Sequence, residues 1–354
     1  MKELGFRLLT AAGIALAGLA LNPSLRADTT VLFAGGNASQ NVLYDRVTNI
    51  LTGGVSSVTI TPTNSTVRTY VGTISGQPGL GNVTIHFSLL GAITGLQDLS
   101  AQNDETTATT NSLPPTVAVS STSPEAVGVN ASAFVGNQTL VVPYAYIKAP
   151  NATDLAGITN LTQRQVYYLE GTAGTVPISY YGGTNTNYLY FVARNTASAV
   201  RTETDANVYF TGTPATYVTN SAGQPILDSK GGQSSGANVR AQVAAIGDAI
   251  GTVAASDIST FTTIPYEGVP YGITNVENGS YPLWFYESWF YEGAGQQGAP
   301  SAAQSYVINA LYSAVTDTNF QATNTLVFVN KFAPLSGMQV SRSTDGGPIT
   351  SLNY

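Results

Sequence analysis

A β-rich run at Thr29–Ala34 (TTVLFA) ends on Gly35-Gly36-Asn37. It is followed over Gln40–Leu51 (QNVLYDRVTNIL) by apolar residues at 42, 43, 47, 50 and 51. Strand, glycine turn and one-faced helix in that order are the opening of a β-α unit, and this constrains the chain more than any other feature. The pattern repeats. Val67–Leu90 predicts two strands around a Gly/Pro turn, Thr139–Ile147 (TLVVPYAYI) a buried strand crossing into a second lobe, and Thr162–Glu170 a helix. Asn187–Ala193 reads as a strand ending at Arg194, Gly231–Asn238 (GGQSSGAN) as a loop before a helix over Val239–Ile246, and Ala249–Ala254 as a strand. Ala303–Val315 predicts a helix and Thr325–Val329 a final strand, while the Thr/Ser/Asn/Pro-rich stretch Ser100–Ser123 reads as a solvated loop. No internal repeat has a fixed period. Strands alternating with helices across glycine turns predict an α/β fold.

The first 27 residues have the layout of a secretory signal peptide: Lys2 and Arg7, an apolar run Leu8–Leu21, the helix breakers Asn22-Pro23-Ser24, and small Ala27 before Asp28. The run is shorter than the ~20 residues a membrane span needs. Cleavage after Ala27 is expected, giving a periplasmic or secreted protein. The chain has no cysteine, which closes both a lipoprotein anchor and disulfides, so the fold stands on its core alone. The chain has 13 basic and 20 acidic residues; without Lys2, Glu3, Arg7 and Arg26 these become 10 and 19, a net charge of −9. That balance argues against nucleic acid and against anionic lipid as partners. Charged residues make up only 9% of the chain, so its solubility rests on Asn, Gln, Ser, Thr and Gly.

The order of segments resembles the phosphate-type substrate-binding proteins of bacterial ABC transporters. FAGGNASQNVLYDRV is similar to the first ligand loop and helix of that family, and VTIHFSLLGAITGL to the second. TLVVPYAYI is similar to the crossing strand, FVARNTASAVRTE to the family's arginine-serine ligand loop, and GGQSSGANV to a later Gly/Ser loop at a helix start. YEGVPYGITNVENGSYPLWFYE is similar to the segment that returns to the first lobe.

This resemblance implies a two-lobed, type II periplasmic-binding-protein fold with a ligand cleft between lobes. Lobe 1 would comprise 28–138 and 263–354, and lobe 2 139–262. It implies a non-catalytic solute-binding protein for phosphate or a related oxyanion or phosphorylated small molecule, needing no cofactor and served by an ABC transporter permease or a sensor. Carried over residue by residue, the ligand-binding set is Arg194, Ser198 and Arg201 of the arginine loop, Asn37 and Ser39 of the first loop, Ser234 and Ser235 of the late loop, and Ser88. Hydroxyls and helix N-termini supply directed donors, and one guanidinium can grip two oxygens. The chain departs from the family pattern at Ser198-Ala199-Val200, where the family has Ser-Gly-Thr, and at Leu89, Leu90 and Ala92, where it has serines. The carboxylate that usually faces bound phosphate is expected near PEAVGVNAS, where Val127–Ala131 contain no Asp. These departures motivate a second reading, the same fold with a degenerate pocket in a secreted surface or structural protein.

His86, the only histidine, stands in an alternating strand, and no hydrolase, P-loop or zinc motif accompanies it. The aromatic run Tyr281–Tyr291 reads as sheet core.

Overall fold

The computed structural model describes residues 27–61, 64–77, 79–106 and 112–352. All but the last residue of the expected signal segment 1–27, and part of the Ser100–Ser123 stretch, lie outside them. Ten strands make one mixed sheet: β1 (Ala27–Gly35), β2 (Gly54–Thr61), β3 (Asn64–Thr73), β4 (Leu80–Ser88), β5 (Val117–Ser120), β6 (Phe134–Lys148), β7 (Tyr190–Val192), β8 (Ala249–Ala254), β9 (Thr262–Ile264) and β10 (Trp284–Glu292). Their spatial order is β2-β3-β4-β1-β5-β10-β6-β8-β7, with β9 also paired to β6. β1 lies parallel to both β4 and β5, and β8 parallel to β7.

The sheet divides along β6. Phe134–Pro143 pairs antiparallel with β10, whereas Tyr144–Lys148 pairs antiparallel with β8. Tyr146, Ile147 and Lys148 also pair with β9. One fifteen-residue strand thus belongs to both halves of a two-lobed α/β fold. At the changeover stands Pro143, which has no N–H to give the ladder.

The first β-α unit forms where the sequence predicts it. Val31–Ala34 are buried on both sides, the near-continuous apolar pattern of a parallel strand between layers. Helix α1 (Gln40–Ile50) turns Val42, Leu43, Val47 and Ile50 inward. Between them Gly35 has φ +139°, and a Cβ there would lie 2.1 Å from the Val119 carbonyl oxygen, so no other residue fits the turn. Helix α2 (Ala92–Ala101) packs Leu96 and Leu99 onto Ala118. In the second half, α3 (Gln163–Thr172) starts on a capping box of Thr162 and Gln165, α4 (Ala199–Val208) follows the arginine loop, and α5 (Gly236–Ile246) packs Val239 and Val243 beside Val253. Helix α6 (Ala302–Val315) begins on a second capping box, Ser301 and Gln304.

Two expectations are corrected. Val117–Ser120, read as part of a solvated loop, is a buried strand in the middle of the sheet. Its polar neighbours mask it, and burial between β1 and β10 overrides local composition. Thr325–Val329 is not a strand. Asn324 ends the preceding helix, and its side chain accepts from the N–H groups of Leu326 and Val327, an Asx turn that bends the chain and buries Phe328. The aromatic run is mostly core, with Tyr281, Trp284, Phe285 and Trp289 buried. Among the described residues no helix is long and apolar enough to cross a membrane.

Candidate functional site

Three helix N-termini converge between the two halves of the molecule. The turn Gly36-Asn37-Ala38 leads into α1, Gly91-Ala92 opens α2, and Ser198-Ala199-Val200 opens α4; all three line one cavity. The first N–H groups of a helix have no partner within it, and the peptide dipoles place partial positive charge there. The local sequence builds each one. Gly35 permits the first turn. Gly91 lets α2 approach the other half so closely that a Cβ would sit 3.0 Å from the Ala197 carbonyl oxygen. Ser198 stands at the N-cap of α4 without making a capping bond.

Arg194 supplies the cation. It is buried, its Nε donates to the Gln233 carbonyl at 3.1 Å, and an Nη donates to the Ser234 carbonyl at 3.0 Å. The same arginine therefore lines the cavity and clamps the Gly/Ser loop in place. Gly232 makes the clamp possible: at φ +126°, a Cβ there would lie 2.3 Å from the Arg194 carbonyl oxygen. Burial lowers the guanidinium's pKa from its usual value, and the nearby Asp257 carboxylate and Tyr144 oppose that shift.

The cavity also holds groups outside the predicted set. Ser121 and Tyr144 share a hydrogen bond of 2.6 Å between their hydroxyls. Glu287 is buried, and its Oε1 accepts from the Ser39 hydroxyl at 2.6 Å. Burial pushes its pKa up to about 7, partly offset by that hydrogen bond. Near neutral pH this carboxyl is divided between its protonated and ionised forms. Its signal in the sequence is a lone acid inside the apolar run PLWFYESWFY. The cavity's carboxylates are therefore Glu287 and Asp257, from β10 and the turn after β8, not from the segment around Val127–Ala131.

The predicted residues divide by position. Asn37, Arg194 and Ser198 line the inner cavity. Ser234 and Ser235 line a larger outer groove of about 530 Å³, which shares Asn37 and Asp257 with it. There the Ser234 hydroxyl accepts from the Asn238 side chain and Ser235 caps α5 by accepting from the Asn238 N–H. Ser39 turns to Glu287, behind the cavity wall. Ser88 is buried, lines neither the cavity nor the groove, and donates to Glu105 at 2.9 Å. Arg201 pairs with Asp205 at 2.5 Å one helical turn on, and reaches the Arg194 carbonyl at 3.4 Å. It acts behind Arg194. His86 is buried with its Nδ1 2.7 Å from the Thr69 hydroxyl.

The halves touch beside the cavity. Ile93 N–H donates to the Ala197 carbonyl at 3.4 Å, and the Ser256 hydroxyl donates to the Ala38 carbonyl at 3.1 Å. The inner cavity is accordingly small, about 20 Å³. That is room for about one water molecule.

Solved structures of the same architecture place this fold. One is described as a phosphate ABC transporter substrate-binding protein from Clostridium perfringens with bound phosphate. It aligns with a TM-score of 0.54 at 14% identity over 83% of this chain and 95% of that one. An ABC-type phosphate transport receptor from Vibrio cholerae aligns with a TM-score of 0.50 at 13% identity, over 80% and 93% respectively. The chain matches no family model and no curated protein sequence. Its fold is the two-lobed periplasmic-binding-protein fold.

Proposed function

We propose that this protein is an exported solute-binding protein that holds a small oxyanion, phosphate or a phosphorylated molecule, between lobes 28–138 plus 263–354 and 139–262, without catalysing a reaction. One observation carries the reading: the turn leading into α1, the openings of α2 and α4, and Arg194 line a single cavity at the junction of the halves. Backbone N–H groups and one cation are a donor set suited to an anion, and they come from both sides of the junction. Glu287 adds selectivity. Ionised, it accepts a hydrogen bond from a protonated phosphate oxygen; sulfate, fully ionised at neutral pH, has no proton to offer and meets repulsion. Entry requires the cleft to open, and β6 is the strand about which the lobes move. Delivery to a transporter permease or a sensor, after signal-peptide removal, follows from the same reading.

The test is titration calorimetry and thermal unfolding of the mature chain with inorganic phosphate and with sulfate. Phosphate is expected to raise the melting temperature by mass action and sulfate to raise it less. No heat and no shift at millimolar phosphate would remove the oxyanion reading. That outcome would favour the second reading, a secreted structural protein of the same fold. The roughly one-water cavity and its Ala92, Ala199 and Val200 lining motivate this alternative.

A further inference from the structure

The two edges of the sheet are finished differently. At one edge β7 is three residues long, and Tyr190 packs its ring on Tyr217 of the neighbouring hairpin at 4.9 Å. At the other edge β2 spans eight residues, Gly54–Thr61, of which all but Thr61 are exposed. Val55, Val58 and Ile60 are 39%, 47% and 46% exposed. An edge strand carries a row of N–H and C=O groups facing outward, and proteins that stay monomeric blunt such edges with charge, proline or cover. β2 has no charge to do this: no Asp, Glu, Lys or Arg occurs between Arg46 and Arg68. Five of its eight residues are β-branched, the side chains that suit a pleated surface.

We propose that β2 pairs antiparallel with β2 of a second copy of this chain, joining two sheets across a two-fold axis at Thr59. The sequence is complementary to itself in that register. Thr59 faces Thr59, Val58 faces Ile60, and Ser57 faces Thr61, so hydroxyls meet hydroxyls on one face and branched apolar side chains meet on the other. The apolar face continues a row already present, since Val58 lies opposite the buried Tyr70 of β3. Of the two irregularities in the β2–β3 ladder, the first lies before this stretch, at the extra residue Ser56, and the second falls between Ile60 and Thr61 without adding a residue to β2. The second is taken up between Asn64 and Arg68 on the β3 side. A two-fold isologous contact closes on itself and consumes the free edge of both copies. Pairing through β2 is independent of what the cleft binds.

The chain's lack of cysteine makes the register directly testable. In an antiparallel self-pair the two residue-59 Cα atoms are about 4.5–5.5 Å apart, inside the range a disulfide spans. Thr59→Cys is therefore expected to give a covalent dimer rapidly under a mild copper oxidant. Ser57→Cys, whose counterpart is residue 61, should cross-link at least about tenfold more slowly, because its two sulfurs start too far apart. Sedimentation of the unmodified mature chain at tens of micromolar should show a dimer, and Val58→Lys with Ile60→Lys should make it monomeric with an unchanged circular dichroism spectrum. A wild-type monomer at that concentration overturns the proposal, as does equal cross-linking of the two cysteine variants.

Discussion

The two walls of the cleft present the same donor type by different means. On the first-half wall, the turn before α1 and the opening of α2 line the cavity on short glycine turns buttressed by the parallel sheet, and the one ionisable side chain there is the buried Glu287. On the second-half wall, α4 contributes one N-terminus, and the guanidinium of Arg194 gives both charge and support by binding the carbonyls of the Gly/Ser loop. The first wall is held by backbone packing. The second is held by a side chain that also faces the cavity. A single substitution should therefore damage the second wall more than the first.

Arg194→Ala is the strongest way to test this difference. It strands two carbonyls and removes two charge-assisted bonds, each worth about 1.5–3 kcal/mol. Urea unfolding should show a loss of about 3 kcal/mol or more, with the phosphate response abolished. Arg194→Lys, which keeps the charge but not the forked geometry, should recover part of the stability and little of the binding. An alanine variant as stable as the parent would mean that the loop does not need its clamp.

Glu287→Gln probes the other wall. With a carboxyl pKa of about 7 against the ordinary 4.5, the folded state holds a proton that the unfolded state releases. The sign is fixed: stability is full below about pH 4.5 and declines as pH rises to about 7, by about 3 kcal/mol for this group alone. Glu105, also raised to about 7 by burial, adds a decline of its own. The difference between the parent and Gln pH profiles isolates Glu287: the variant should lack its share of the slope while Ser39 keeps an oxygen to donate to. Identical profiles would show that Glu287 ionises in the folded protein as it does in the unfolded chain.

Gly91→Ala acts where the walls meet. Its Cβ would crowd the Ala197 carbonyl, and overpacking of this kind costs about 1–3 kcal/mol. The lobes can relieve it by parting, so small-angle scattering should show a larger radius of gyration with the melting temperature little changed. The smallest effect is expected from Ser235→Ala. It removes the cap of α5 for about 1 kcal/mol and leaves phosphate affinity within a few-fold of the parent. A complete loss of binding would move Ser235 from support to direct contact.

Much of the scaffold is legible in the sequence because its signals are local. The Gly35-Gly36 turn, the apolar stripe of α1, and the strands VTIHFSLL and AIGTVA follow from periods of 3.6 and 2 and from glycine placement. β5 and β2 escaped for opposite reasons. β5 is a short buried segment adjoining a polar stretch, and β2 is an exposed one with no buried face to set an alternating pattern. The site is only half legible. Arg194, Ser198 and Asn37 stand in loops whose order carries meaning, whereas Ser88 and Ser39 occupy similar loop ends yet turn to acids whose positions depend on tertiary packing. Glu287, Ser121 and Tyr144 lie on strands or their ends from distant parts of the chain. Only the folded sheet brings them beside Arg194.

The strand shared by both lobes, β6, bears on how the cleft can open. A continuous ribbon resists bending in its own plane but yields readily to twist, and β6 exchanges its partner from β10 to β8 at Pro143 and Tyr144. Rotation there would swing the distal ends of the lobes through a wide arc while moving the base of the cavity little. Opening of the cleft by torsion near this changeover would leave the packing of each lobe intact.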